Sequence, residues 1–189
     1  MRYFRLYRDR DASRKGLRLH RIESQPEIDL PWRAGQAFAE APSQPIVCRL
    51  QDRPGATLPD AFLADRIPLF SPRLVKGLLD AGVSTLATYA AELRTSGGEL
   101  LATDFHAVNI VDRVACADLE ASIRHPLSDY PMIEFSRLVI DADAARGCRL
   151  FRLAENPSFI LLDETVKRAL DALPLVNVKA LSLDDPAAY

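Results

Sequence analysis

The sequence predicts an α+β fold with a mainly antiparallel sheet, a C-terminal meander and a few packed helices. Three observations carry this expectation. Apolar runs at Leu138–Ile140, Leu150–Leu153 and Phe159–Leu162 have strand length, and Gly147 and Asn156-Pro157 break them. Two segments, 72–81 and 164–173, open on helix-start residues and continue with apolar positions at helical spacing. Strands and helices do not alternate regularly, as parallel sheets built from strand–helix–strand units require.

The elements follow in order. Tyr3-Phe4-Arg5-Leu6-Tyr7 reads as a first strand, with Phe4 and Leu6 on one face and Arg5 on the other. Leu17, Leu19 and Ile22 suggest a second, after a polar turn over residues 9–16. Pro26, Pro31, Pro42, Pro45, Pro54 and Pro59 then punctuate a weak pattern in which only Ile46–Leu50 looks like a strand. A Pro-rich irregular surface layer is expected at 24–60. The sole tryptophan, Trp32, either covers an edge of the core or stands exposed as an anchor for a partner.

Ser71-Pro72-Arg73 supplies an N-cap residue and a first-turn proline. Leu74, Val75, Leu78 and Leu79 share one helical face, and Gly82 is the natural stop. Ser96-Gly97-Gly98 marks a turn, Phe105–Val111 a strand, and Asp118–Ser122 a helical turn or loop rim. After the three apolar runs, Asp163 caps a helix on which Val166, Leu170 and Leu173 recur, and Pro174 ends it. Val176, Val178, Leu181 and Leu183 alternate as a last strand.

At 189 residues, 48% hydrophobic and 26% charged, the composition suits one soluble domain spanning 1–189. No apolar run approaches the roughly 20 residues that cross a membrane. The N-terminus lacks a signal-peptide apolar core, so a cytoplasmic product is expected. Cys48, Cys116 and Cys148 are far apart and odd in number, without a Cys-x-x-Cys, and read as buried free thiols. Charge is uneven: residues 1–21 hold eight Lys or Arg against two Asp, whereas residues 99–189 hold nine basic and fifteen acidic side chains. Either a charged partner or mutual attraction of the two chain ends accounts for this.

The search for chemistry is sparse. Asp104 and His106, two residues apart on a strand, share a face and could form an acid–base pair. A surface pair is the simpler reading. Asp141 and Asp143 lie close before Gly147, but a divalent cation needs more oxygen ligands than that loop offers. Gly-x-Ser-x-Gly, phosphate-cradling loops and His-Glu-x-x-His are all missing from the sequence. No catalytic residue, cofactor or metal ligand is assigned. Arginines interleaved with Tyr3, Phe4 and Tyr7 imitate a nucleic-acid platform of cations and stacking rings. An edge strand charged against sheet-to-sheet pairing explains them more simply.

Short motifs in order carry a resemblance. They are Met1-Arg-Tyr-Phe-Arg-Leu, Phe70-Ser71 at a helix start, Val108-Asn109-Ile110, Ala117-Asp118-Leu119-Glu120-Ala121-Ser122, Leu138-Val139-Ile140-Asp141 and Leu150-Phe151-Arg152-Leu153. With the helix after Asp163-Glu164 and the terminal strand, the chain resembles the myxobacterial-type family of bacterial immunity proteins found in polymorphic toxin systems. The resemblance covers nearly the whole chain. Where that family commonly has a tyrosine ahead of the central strand, this chain has Phe105-His106. The resemblance implies a non-enzymatic protein, needing no cofactor, that binds a cognate toxin protein, often of the nuclease type. An acidic surface would suit a basic nuclease, and Asp118, Glu120, Asp141 and Asp143 are the candidate partner-binding residues. Two other readings stay open: a nucleic-acid-binding module using the basic N-terminal stripe, and a hydrolase built on Asp104 and His106.

Overall fold

Along the first strand, β1 (Tyr3–Arg8), Phe4 and Leu6 enter one core while Tyr3 enters another on the opposite face. That division sets the architecture. The computed structural model describes residues 1–9, 18–23, 29–51, 55–63, 66–126, 128 and 132–189. Within them β1 lies inside a five-stranded sheet, between β13 (Val178–Ser182) and β12 (Ile160–Asp163). β11 (Leu150–Leu153) and β8 (Arg113–Val114) complete that sheet. A six-stranded sheet runs β2 (Arg18–Ile22), β3 (Ile46–Gln51), β6 (Leu86–Arg94), β7 (Leu100–Ile110), β5 (Leu69–Phe70) and β4 (Ala61–Phe62). β9 (Ile123–Arg124) and β10 (Phe135–Arg137) form a separate antiparallel pair. The sheet pairings are antiparallel apart from β3 with β6 and β8 with β11. The fold is α+β and mainly sheet.

Two of the three C-terminal apolar runs pair as expected, since β11 and β12 are antiparallel neighbours. Every residue of both strands is buried, which explains why they read as continuous apolar runs rather than alternating ones. Leu138–Ile140 departs from the expected meander. The place beside β11 is taken by β8, so this segment makes an isolated bridge from Ile140 to Ala117 instead of a strand, with Leu138 buried in the core beneath. The Leu138 amide donates to the Tyr189 hydroxyl at 2.7 Å and the Val139 amide to Ser122 Oγ at 2.9 Å. β1 also departs from the expected edge position, because strands flank it on both sides.

Helices α1 (Pro72–Asp80) and α2 (Glu164–Asp171) form where the caps put them. Ser71 Oγ accepts from the Leu74 amide at 3.2 Å, and Asp163 Oδ1 from the Val166 amide at 2.8 Å. These bonds satisfy amides that a helix start otherwise leaves open. Gly82 ends α1 at φ 80°, a backbone region that favours glycine. An added Cβ there would also stand 2.7 Å from the Arg149 guanidinium, which caps the helix by donating to the Ala81 carbonyl. The buried faces of both helices meet Phe4, Leu6, Phe70, Val108 and Leu162 in a core shared by the two sheets.

The Pro-rich stretch contributes to a second core. Trp32 is 1% exposed there and packs edge-on against Phe38 and Tyr89, with Ile46, Cys48 and Leu50 of β3 in the same cluster. Leu17, Pro26, Pro54 and residues 10–16 of the expected polar turn lie outside the described residues. β6 was unassigned from sequence; it pairs along most of its length with β7. Their turn is the expected one, with Gly98 at φ 97° and its amide donating to the Thr95 carbonyl at 3.0 Å.

One buried acid joins the parts. Asp60, 4% exposed, accepts from the Ser71 hydroxyl and, at 2.6 Å, from the Val176 amide. Removing a charged acceptor from one buried and one part-buried donor costs about 2–3 kcal/mol. Urea denaturation is expected to show about that loss for Asp60→Ala, and a smaller loss of about 1 kcal/mol for Ser71→Ala, whose main deficit is the cap. A loss under 1 kcal/mol for Asp60→Ala would contradict this role.

Candidate functional site

The four candidate acids sit on two neighbouring turns, and backbone bonds hold the turns side by side. The Asp118 amide donates to the Val139 carbonyl at 2.9 Å, and the Asp141 amide to the Cys116 carbonyl at 2.8 Å. Between them lies the Ala117–Ile140 bridge. Asp118 Oδ1 accepts from the amides of Glu120 at 3.1 Å and Ala121 at 2.9 Å. Asp141 Oδ1 does the same for Asp143 at 2.9 Å and Ala144 at 3.2 Å. Both aspartates therefore close their own turns, a standard use of a short carboxylate.

Glu120 and Asp143 are different. Both are exposed, and Asp143 pairs with the equally exposed Arg146. Beside them two apolar side chains stand in solvent, Leu119 at 42% and Ile123 at 53% exposure. Sequence reasoning missed both as surface residues. The signal was present: each is a lone apolar residue in a polar, turn-rich stretch without helical or strand periodicity. The paired turns thus present apolar anchors flanked by carboxylates, an arrangement suited to binding a protein that carries basic groups around an apolar patch.

The other candidates fare less well. Asp104 is exposed and His106 half-buried on β7, and neither lines the largest cavity described. Among the described residues no group of three or more His, Cys, Asp or Glu is placed to hold a metal ion. In the N-terminal stripe, Tyr3 and Phe4 are buried and cannot stack on bases. Arg5 lies 3.4 Å from the centre of the Phe159 ring and donates to the Ala188 carbonyl, closing the C-terminus over β1. Arg2 reaches Asp184 at 4.0 Å, and Asp9 reaches Lys179 at 3.2 Å. The chain ends thus meet through some of their unlike charges. Arg10, Arg14 and Lys15 lie outside the described residues.

The fold is that of an α+β protein whose paired turns carry exposed acids and apolar side chains. Comparison with family models gives the class: the Immunity protein family (Imm11) matches residues 7–185. The chain belongs to this family of immunity proteins. No curated protein matches it. No helix among the described residues is long and apolar enough to cross a membrane.

Cys48 and Cys116 are buried and Cys148 is half-buried, and Cys116 and Cys148 are free thiols. Burial, with the nearby Glu155 charge, pushes the Cys116 thiol up to about 12. Burial also raises Cys148, and Asp112 adds to the shift through its charge and a hydrogen bond. Thiolate is the reactive form. Iodoacetamide at about pH 8 is therefore expected to label Cys116 in the folded protein far more slowly than in urea, as read by mass spectrometry. Equal rates in both states would contradict its burial.

Proposed function

We propose that this chain, acting as one unit over residues 1–189 in the cytoplasm, neutralises a co-encoded toxin by stoichiometric binding. Membership of the immunity protein family carries the reading. The partner surface is the pair of turns carrying Asp118, Glu120, Asp141 and Asp143. Asp118 and Asp141 shape it, Glu120 and Asp143 supply its field, and Leu119 and Ile123 supply apolar contact. An excess of carboxylates over residues 99–189 favours a toxin with a basic active face, such as a nuclease. Charge of this kind mainly speeds encounter, whereas buried anchors hold the complex.

The two contributions separate kinetically. Association of the purified proteins would be measured by surface plasmon resonance at low and high salt. The double variant Glu120→Lys/Asp143→Lys is expected to slow association about tenfold at low salt and to flatten its salt dependence. Leu119→Ser and Ile123→Ser are expected to speed dissociation about tenfold or more, with little change in association. Unchanged kinetics in all these variants, each folded, would remove the site. Failure of the unaltered protein to bind the co-encoded toxin would remove the function.

A further inference from the structure

The largest cavity described, a space of about 470 Å³, lies where the loop before β3 meets the end of the five-stranded sheet. Its volume is in the range of pockets that take a whole ligand group. Leu30, Trp32 and Met132 line it together with Arg33, Arg66 and Arg113. Its walls are fixed before anything enters. Trp32 is 1% exposed and packs edge-on against Phe38 and Tyr89. Pro157, another lining residue, has its carbonyl held at 2.6 Å by Nη1 of the buried Arg152. Gly35 lets its loop run close to β8, since an added Cβ would stand 2.9 Å from the Arg113 amide nitrogen.

The arginines in this lining are not a set of waiting anion donors. Arg33 and Arg66 already have partners, and Arg113 donates to the Ala154 carbonyl at 2.9 Å. A guanidinium bonded along its N–H edge still has a flat face, and that face attracts the π face of an aromatic ring. Arg113 is exposed on the short strand β8, so its side chain is open to such a contact. Met132 stands 41% exposed at the same cavity, and a thioether favours a ring over an aliphatic chain. Trp32 adds an indole suited to edge-to-face packing.

We infer that this cavity receives an aromatic side chain of a bound protein, with the ring against Arg113, Met132 and Trp32. The cavity borders the paired turns through the backbone. Ala154 lines it, and the next residue, Glu155, accepts from the Ala117 amide at 3.3 Å where the first turn begins. The Glu155 carbonyl accepts from the Ile133 amide at 2.9 Å, directly after Met132. Aromatic side chains seated in pockets supply much of the affinity of protein complexes. The identity of the bound protein rests on the toxin-binding reading; the preference of the cavity for a ring does not.

The test uses p-cresol, the side chain of tyrosine, and its saturated counterpart methylcyclohexanol. Trp32 is the sole tryptophan, so its fluorescence reports binding in the cavity of the unliganded protein. A saturable change with p-cresol is expected, at a Kd of about 1 mM or tighter, with methylcyclohexanol at least about threefold weaker. Arg113→Leu and Met132→Ala, both at exposed positions, are each expected to weaken p-cresol about threefold. In equilibrium dialysis, saturating co-encoded toxin is expected to release the p-cresol. Failure of p-cresol to bind, equal binding of methylcyclohexanol, or unchanged affinity in both variants would overturn the inference. A toxin that binds while p-cresol stays in place would overturn it and leave the proposed function standing. A toxin that does not bind the parent protein would remove the proposed function and the bound protein named here, even with p-cresol in the cavity.

Discussion

Asp60 sits where three separate stretches of chain converge, and all three are fixed by its polar groups. Its carboxylate takes the Ser71 hydroxyl, which in turn caps α1 through the Leu74 amide. Its other oxygen takes the Val176 amide, while its own amide donates to the Val176 carbonyl at 2.9 Å. Its carbonyl accepts from the Ser71 amide at 2.9 Å. Asp60 and Ser71 flank the paired ends of β4 and β5, and Val176 leads into β13. One buried side chain therefore locks the edge of the six-stranded sheet, the start of α1 and the approach to the five-stranded sheet into one geometry. The shared core beneath, from Phe4 to Ala180, needs that geometry to close, because apolar packing is non-directional and does not by itself fix an angle between sheets.

Each sheet is then covered on its second face by something irregular. Over the six-stranded sheet the cover is the Pro-rich stretch, pinned by Trp32 against Phe38 and Tyr89. Over the five-stranded sheet it is Cys116, Phe135, Leu138 and Ala145 with the C-terminal residues, pinned by Tyr3, Phe159 and Tyr189. The Tyr189 hydroxyl donates to the Leu183 carbonyl at 2.8 Å and accepts from the Leu138 amide at 2.7 Å. The paired turns belong to this second cover. Their backbone is held by the five-stranded sheet behind them, while their tips carry the exposed acids and apolar side chains. A surface built this way is shaped before any partner arrives, which would reduce the ordering cost of an association there.

Elements whose signals are local were legible in the sequence. Both helices announced themselves by a side-chain cap followed by helical spacing, and β11 and β12 by apolar runs too dense for a half-exposed strand. β6 was not legible because Leu-Ala-Thr-Tyr-Ala-Ala-Glu-Leu-Arg is rich in residues with no preference for strands, and pairing with β7 overrides that tendency. Leu138–Ile140 misled for the opposite reason: its residues favour a strand, but β8 already occupies the adjoining edge. At the candidate site, the spacing of Asp118 and Asp141 was visible, whereas the turns that consume their carboxylates depend on a bridge between distant segments. Arg152 stood in plain view as a charge within an apolar run. Its near-complete burial and its bond to the Pro157 carbonyl became visible only in the fold.

On the proposed reading, the paired turns are where this immunity protein would meet a co-encoded toxin. Hydrogen–deuterium exchange of the protein, alone and saturated with the co-encoded toxin, tests it most directly. The account predicts added protection concentrated over residues 117–123 and 139–146, with exchange in the helices and in β3 unchanged. A complex that forms while those two segments exchange as fast as in the free protein would contradict it.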